Sequence, residues 1–181
     1  MVNNLKIETQ RLLLKARYPE DYKQLYQNND KATIMSVLGY ETEKEYQRDI
    51  MRLEGGMKMF NRSFCYFQII LKSENRTIGG IGLHNWVDEH KRAEIGYNLK
   101  HDSDKQKGYM KEAIGPVIDF GFKHLKLHRI EAYFRPNNVP SKRLLEINGF
   151  THEGLLKDHY ILDGIYEDSM LYALIHPDEK N

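Results

Sequence analysis

The chain has one cysteine, Cys65, among 181 residues. A lone thiol cannot close an internal disulfide, and no metal-ligand cluster accompanies it. Its setting, "SFCYFQIIL", is apolar, the environment of a buried and inert thiol rather than a reactive one. Neither sign of charge is in excess: Lys plus Arg total 27 and Asp plus Glu total 26. No like-charged tail points to nucleic acid or to a membrane surface. Long apolar runs are also missing. None approaches the roughly 18 residues that cross a bilayer, and "MVNNLKIETQ" at the start lacks the apolar stretch of a secretory signal. A cytoplasmic location is expected. No repeat, low-complexity tract or Pro/Gly/Ser linker divides the chain, so a single domain over residues 1–181 is expected. That length is enough for a proper core.

What remains alternates between strand and helix signals. Residues 5–16, "LKIETQRLLLKA", read as a strand. Pro19 suits the first turn of a helix over about 19–28. Thr42 with Glu45 three residues later is a capping-box signature for a helix over 42–60, ending near Gly55 and Gly56. Three strand candidates follow. Residues 63–71 are almost wholly apolar, as in a strand buried on both faces. Residues 76–86, "RTIGGIGLHNW", are rich in glycine, so another chain or a ligand approaches the backbone closely. In 93–99, "AEIGYNL", Ile95, Tyr97 and Leu99 share one face and Glu94, Gly96 and Asn98 the other. Residues 106–125 read as a long helix, with Met110, Ala113, Ile114, Val117 and Gly121 at helical spacing; Pro116 inside it predicts a kink or an open turn. A strand at 128–135 precedes a short helix with Asn138 as N-cap and Gly149 just past its end. Two final strands, 150–162 and 165–175, meet at Asp163-Gly164, a hairpin signal. The mixture predicts an α/β (α+β) fold.

The stretch "DKQKGYMKEA" (104–113) places a glycine at the start of a helix. Free N–H groups and the positive end of the helix dipole can bind phosphate there. It is neither a Walker loop nor GxGxxG, so taken alone it fits a solvated basic helix start as well as a phosphate cradle.

Its surroundings carry more. "AEIGYNLKHDSDKQKGYMKEA", "HRIEAYFRPNNVPSKRLLEINGF" and "EGLLKDHYILDGIYEDSMLYAL", in that order, together with "IETQRLLLKARYPED", resemble the GNAT superfamily of acetyl-CoA-dependent N-acetyltransferases. The likeness is greatest to the branch that acetylates ribosomal-protein N-termini, and it spans nearly the whole chain. The family loop Q/R-x-x-G-x-G/A falls on Lys105, Gly108 and Met110, with a bulky Met110 in place of a small residue.

The resemblance implies a mixed, mostly antiparallel twisted sheet of about seven strands flanked by helices and splayed centrally for CoA. It implies acetyl-CoA as co-substrate, bound through backbone near Leu99 and through the pyrophosphate on N–H groups of Lys105, Gln106, Lys107, Gly108, Tyr109 and Met110. No metal is implied. Glu94 is the favoured general base, directly or through a water, with a pKa raised by partial burial. His84 is its competitor. Ser141 is assigned to the CoA thiolate and Asn138 to the same element; both are equally explained as capping residues. Tyr160 and Tyr166 are runner-up acids. The expected reaction is direct attack of a primary amine on acetyl-CoA in a ternary complex. The acceptor is a protein N-terminus or a small amine such as a polyamine or antibiotic. A non-catalytic acyl-CoA sensor is the rival reading, and a homodimer is common in such enzymes.

Overall fold

The computed structural model describes residues 5–54 and 63–177. The first strand candidate is two strands, β1 (Lys6–Glu8) and β2 (Leu12–Arg17), folded back on each other. The turn between them is closed by the Thr9 N–H donating to the Leu12 carbonyl at 3.0 Å. This raises the strand count to eight from the about seven expected.

Three helices follow. α1 (Pro19–Asn28) opens on Pro19, and the Asp21 carboxylate accepts the Tyr18 N–H at 2.8 Å. α2 (Lys31–Leu38) has no counterpart in the sequence reading. Asp30 caps it by accepting the Thr33 N–H at 2.8 Å, and Gly39 ends it in the left-handed region at φ +68°. Only eight residues long, with Thr33, Ile34 and Val37 β-branched, it offers little helical period to read. α3 (Glu43–Glu54) begins with the expected reciprocal box. Glu45 N–H donates to the Thr42 hydroxyl at 3.3 Å, and Thr42 N–H to the Glu45 carboxylate at 3.0 Å. Its expected end at Gly55 and Gly56 lies outside the described residues.

The sheet continues through β3 (Ser63–Leu71), β4 (Arg76–Val87) and β5 (Arg92–Leu99). A one-turn 3-10 helix, Asp102–Asp104, leads to α4 (Tyr109–Lys123). α4 starts at Tyr109, three residues later than read, because Gly108 takes φ +79° and ends the loop. It runs on unbroken through Pro116. Gly115 stands before that proline, so no Cβ meets the pyrrolidine ring. β6 (Arg129–Phe134), α5 (Val139–Ile147), β7 (Thr151–Leu162) and β8 (Ile165–Ile175) complete the fold.

The strand order is β1-β2-β3-β4-β5-β6-β8-β7, antiparallel throughout except between β5 and β6. α4 covers one face. Its buried Ala113, Ile114, Val117 and Phe120 join Leu12, Leu14, Phe67, Ile81, Leu83 and Ile130 in the main core. Phe120 meets Phe67 edge to face at 5.2 Å. The other face, over β2–β5, is covered by α1–α3 around Tyr22, Ile34 and Leu38. Among the described residues no helix is long and apolar enough to cross a membrane.

The parallel pair β5–β6 sets the site. Its register holds only from Arg92 to Glu94, opposite Arg129 to Glu131. Beyond Glu94 the two strands part, so residues 95–99 of β5 have no β6 partner. The central splay is there, and Glu94 stands at its fork.

Candidate active site

The glycine loop is braced from three sides. Arg76 on β4 grips the buried Asp104 carboxylate through two nitrogens, at 2.9 and 3.0 Å. Arg11 donates to the Lys107 carbonyl at 2.9 Å and to Glu112 at 2.7 Å, and its guanidinium lies 4.7 Å from the centre of the Tyr109 ring. The Thr9 hydroxyl also donates to Glu112, at 2.6 Å. Gln106 and Gly108 are both left-handed, at φ 60° and 79°. Lys105 N–H is satisfied by the Asp102 carbonyl, at 3.0 Å, while the N–H groups of 106–110 have no acceptor among the described residues. Met110 packs against the core and leaves the turn intact. The result is a row of free donors at a helix N-terminus, held open by charges that are already spent elsewhere.

Across the fork, the second group assembles at the start of α5. Asn138 caps this helix, its side-chain oxygen accepting the Ser141 N–H at 3.2 Å. Ser141 enters that cap through its backbone, and its side chain lies near enough to Tyr97 on β5 to act on the phenol electrostatically. Burial raises the Tyr97 phenol and the Ser141 contact offsets only part of this, so Tyr97 keeps its proton at neutral pH. Tyr166 is on the exposed closing hairpin, 62% accessible, and Tyr160 lies opposite Glu167 in the same hairpin. The hairpin acids are largely tied up: Glu153 to Arg129, Asp168 to Lys157 and Glu167 to Arg135.

On the α1–α3 face a cavity of about 770 Å³ opens. Its floor is shaped by small residues. A Cβ on Gly80 would fall 1.5 Å from the Tyr66 hydroxyl, and one on Gly96 would fall 2.7 Å from His84 Cε1. The glycine-rich strand thus admits the rings of Tyr66 and His84, a close approach by side chains of the protein itself. His84 lines the cavity and Glu94, directly opposite in register, stands behind it. His84 Nε2 is 3.1 Å from Glu94 Oε1, and the Asn85 amide donates to Glu94 Oε2 at 2.9 Å.

The two competing base candidates are therefore one pair. Burial pushes the Glu94 carboxyl up, but the His84 hydrogen bond and charge, the Asn85 amide and the charge of His159 outweigh it. Its pKa lies below the ordinary carboxylate value, the reverse of the expected upward shift. Glu94 is thus ionised near neutrality and faces His84 Nε2; in the neutral form of the imidazole this contact puts the proton on Nε2 and leaves Nδ1 as the acceptor. Cys65 is buried, and burial pushes its thiol up to about 12. It is no nucleophile at neutral pH. The sequence reading named Glu94 and His84 as alternatives and missed both their contact and that of Tyr97 with Ser141. The glycines at 80, 82 and 96 were the available signal for the open face.

Splayed strand, glycine loop and fork together define an acyl-CoA transferase architecture, and the comparisons agree. Residues 11–151 match the acetyltransferase (GNAT) domain, and the chain belongs to that family of N-acetyltransferases. An uncharacterized N-acetyltransferase, p20 of Bacillus licheniformis, is 33% identical over 169 residues, 92% of this chain and 94% of that protein. The ribosomal-protein-serine acetyltransferase of Escherichia coli is 28% identical over 178 residues, 97% of this chain and 98% of its own length. A solved GNAT-family acetyltransferase from Bacillus anthracis is similar with a TM-score of 0.65 at 29% identity, covering 94% of this chain and 98% of that one.

Proposed function

We propose that the protein moves an acetyl group from acetyl-CoA to a primary amine by direct attack in a ternary complex. The observation that carries this reading is the parting of β5 from β6 just after Glu94. In this reading the His84–Glu94 pair, Tyr97, Ser141 and the free N–H loop surround the gap that opens there. The residues fit the co-substrate: a pyrophosphate accepts from N–H groups within 106–110, the Lys105 N–H being taken by Asp102, and a pantetheine arm lies along the unpartnered edge near Leu99. Acetyl-CoA supplies an activated acyl group; everything else is done by the chain.

In this reading His84 Nδ1 takes the proton of the acceptor ammonium. Glu94 fixes the ring and stabilises the imidazolium that forms. Glu94 is then a positioning residue rather than the base itself. Such proton transfer is worth about 10²- to 10⁴-fold in rate. A backbone N–H of the splayed edge polarises the carbonyl. As the tetrahedral intermediate collapses, the second proton of the attacking nitrogen passes by way of the Ser141 hydroxyl to the departing sulfur, so that amide and thiol both leave neutral. The similarity to a ribosomal-protein-serine acetyltransferase favours a peptide N-terminus as acceptor.

Thermal unfolding with acetyl-CoA, CoA and ATP tests the co-substrate. At about a hundred times Kd a ligand adds roughly 2.7 kcal/mol, which in a chain of this size raises Tm by about 5–10 °C. Stabilisation by both CoA forms and not by ATP is expected. No shift with either CoA form removes the co-substrate and the roles assigned around it.

A further inference from the structure

The structure assigns a second specificity element to the acceptor cavity: Arg17, a seat for an anionic group on the amine that is acetylated. This rests on the acetyl-transfer reading above and narrows its acceptor to amines that also carry a carboxylate or similar anion.

Arg17 ends β2 and is only 6% exposed. Its Nε and Nη2 are buried without a hydrogen-bond partner, and its side chain lines the cavity. Guanidinium groups are normally buried only when paired, because the desolvation cost is otherwise uncompensated. The other charges on the wall do not supply a partner. Glu45 is held by Lys100 at 2.8 Å. Asp49 is held by Arg52 at 3.2 Å and accepts the Tyr40 hydroxyl. Arg48, also on the wall, has no carboxylate within ion-pair distance among the described residues. Four cationic side chains therefore face the cavity against two carboxylates, both engaged.

The register places this seat relative to the chemistry. Arg17 lies opposite Tyr66, Tyr66 opposite Gly82, and Gly82 opposite Gly96, in one row across the same face. Three strand spacings put the Arg17 and Gly96 backbones roughly 14 Å apart, and His84 is two residues along β4 from that row. The Arg17 side chain reaches back over part of that distance. An acceptor with its amine at His84 and an anion at Arg17 thus holds the two several bonds apart. A flexible polycation is disfavoured by the same wall, since nothing there is a free carboxylate.

The test is calorimetric titration of the full chain with ω-amino carboxylates of about four to eight carbons, with the amides of the same compounds, and with 1,5-diaminopentane. The wild type should bind at least one carboxylate about tenfold or more tighter than its amide. Arg17→Gln should abolish that preference. Equal affinity for acid and amide in the wild type, or a preference for the diamine, overturns the assignment without recourse to a variant. An acid preference that survives in Arg17→Gln overturns it too. The acetyl-CoA stabilisation is measured on the same samples. Its absence tells against acetyl transfer, whereas the anion seat is judged by the acid-to-amide ratio alone.

Discussion

Gly96→Ala separates catalysis from stability in this protein. The glycine pairs with Gly82 in the middle of β5, and its φ is not in the left-handed region. Alanine fits that backbone, and losing a glycine from the unfolded chain favours folding by about 0.4–1 kcal/mol. The added Cβ, however, would lie 2.7 Å from His84 Cε1 and 3.4 Å from Nδ1. Ordinary contact begins near 3.4 Å, so the imidazole retreats by roughly 0.7 Å or more. Its Nε2 is already 3.1 Å from Glu94, and a retreat of that size carries the pair past hydrogen-bond distance. The ring is partly exposed, so moving it costs little folding energy. Net stability should change by no more than about 1 kcal/mol. Turnover should fall about 10²-fold or more, because the base is both displaced and released from its orienting carboxylate. The assay is kcat for acetyl transfer, read beside the thermal shift with acetyl-CoA and the imidazole nitrogen resonances of His84. Co-substrate binding should be unchanged, and the Nε2 proton should lose its carboxylate signature. In a His84→Gln background the substitution should cost almost nothing further. A Gly96→Ala protein with wild-type kcat would refute His84, in this pose, as the proton acceptor.

Three other outcomes follow from the same geometry. Asp104→Asn removes the charge and one of the two acceptor oxygens of a two-pronged Arg76 pair under the glycine loop; it should cost about 1.5–3 kcal/mol in urea unfolding and weaken acetyl-CoA binding in the same titration. Asn138→Ala and Ser141→Ala should split. The first loses the α5 cap and about 1 kcal/mol of stability, while the second keeps the cap, which uses the Ser141 backbone, and lowers kcat at unchanged acetyl-CoA affinity. Burial pushes Glu45 up, but the Lys100 ammonium and the N–H groups of Glu41 and Thr42 hold it down at about 2. Its contribution is complete above the ordinary glutamate pKa of 4.5 and is lost as pH falls from there to about 2. Unfolding curves across that window should be steeper for the wild type than for Glu45→Gln.

Much of this was legible because it is written locally. The Thr42–Glu45 box, Pro19 at a helix start, Asn138 as a cap and the Asp163-Gly164 turn each need only three or four consecutive residues, and each is where it was read. The failures were of two kinds. β1 and β2 were merged because their turn, Thr9 to Arg11, lacks glycine and proline and is closed instead by backbone and by the distant Glu112. The direction of the Glu94 pKa was misread because burial, which sequence can suggest, raises a carboxylate, while the opposing partners His84, Asn85 and His159 are supplied by register and packing. Arg17 is the extreme case. Its type is ordinary, its neighbours in sequence are ordinary, and its strand was identified. What sets it apart is that, among the described residues, no carboxylate lies within ion-pair distance of its buried guanidinium, and an absence of that kind belongs to the fold. The glycines of β4 and β5 carry the complementary information. They show that one face must leave room for the rings of Tyr66 and His84 to lie close against the strands, and those rings line a cavity whose wall charges then choose what enters it.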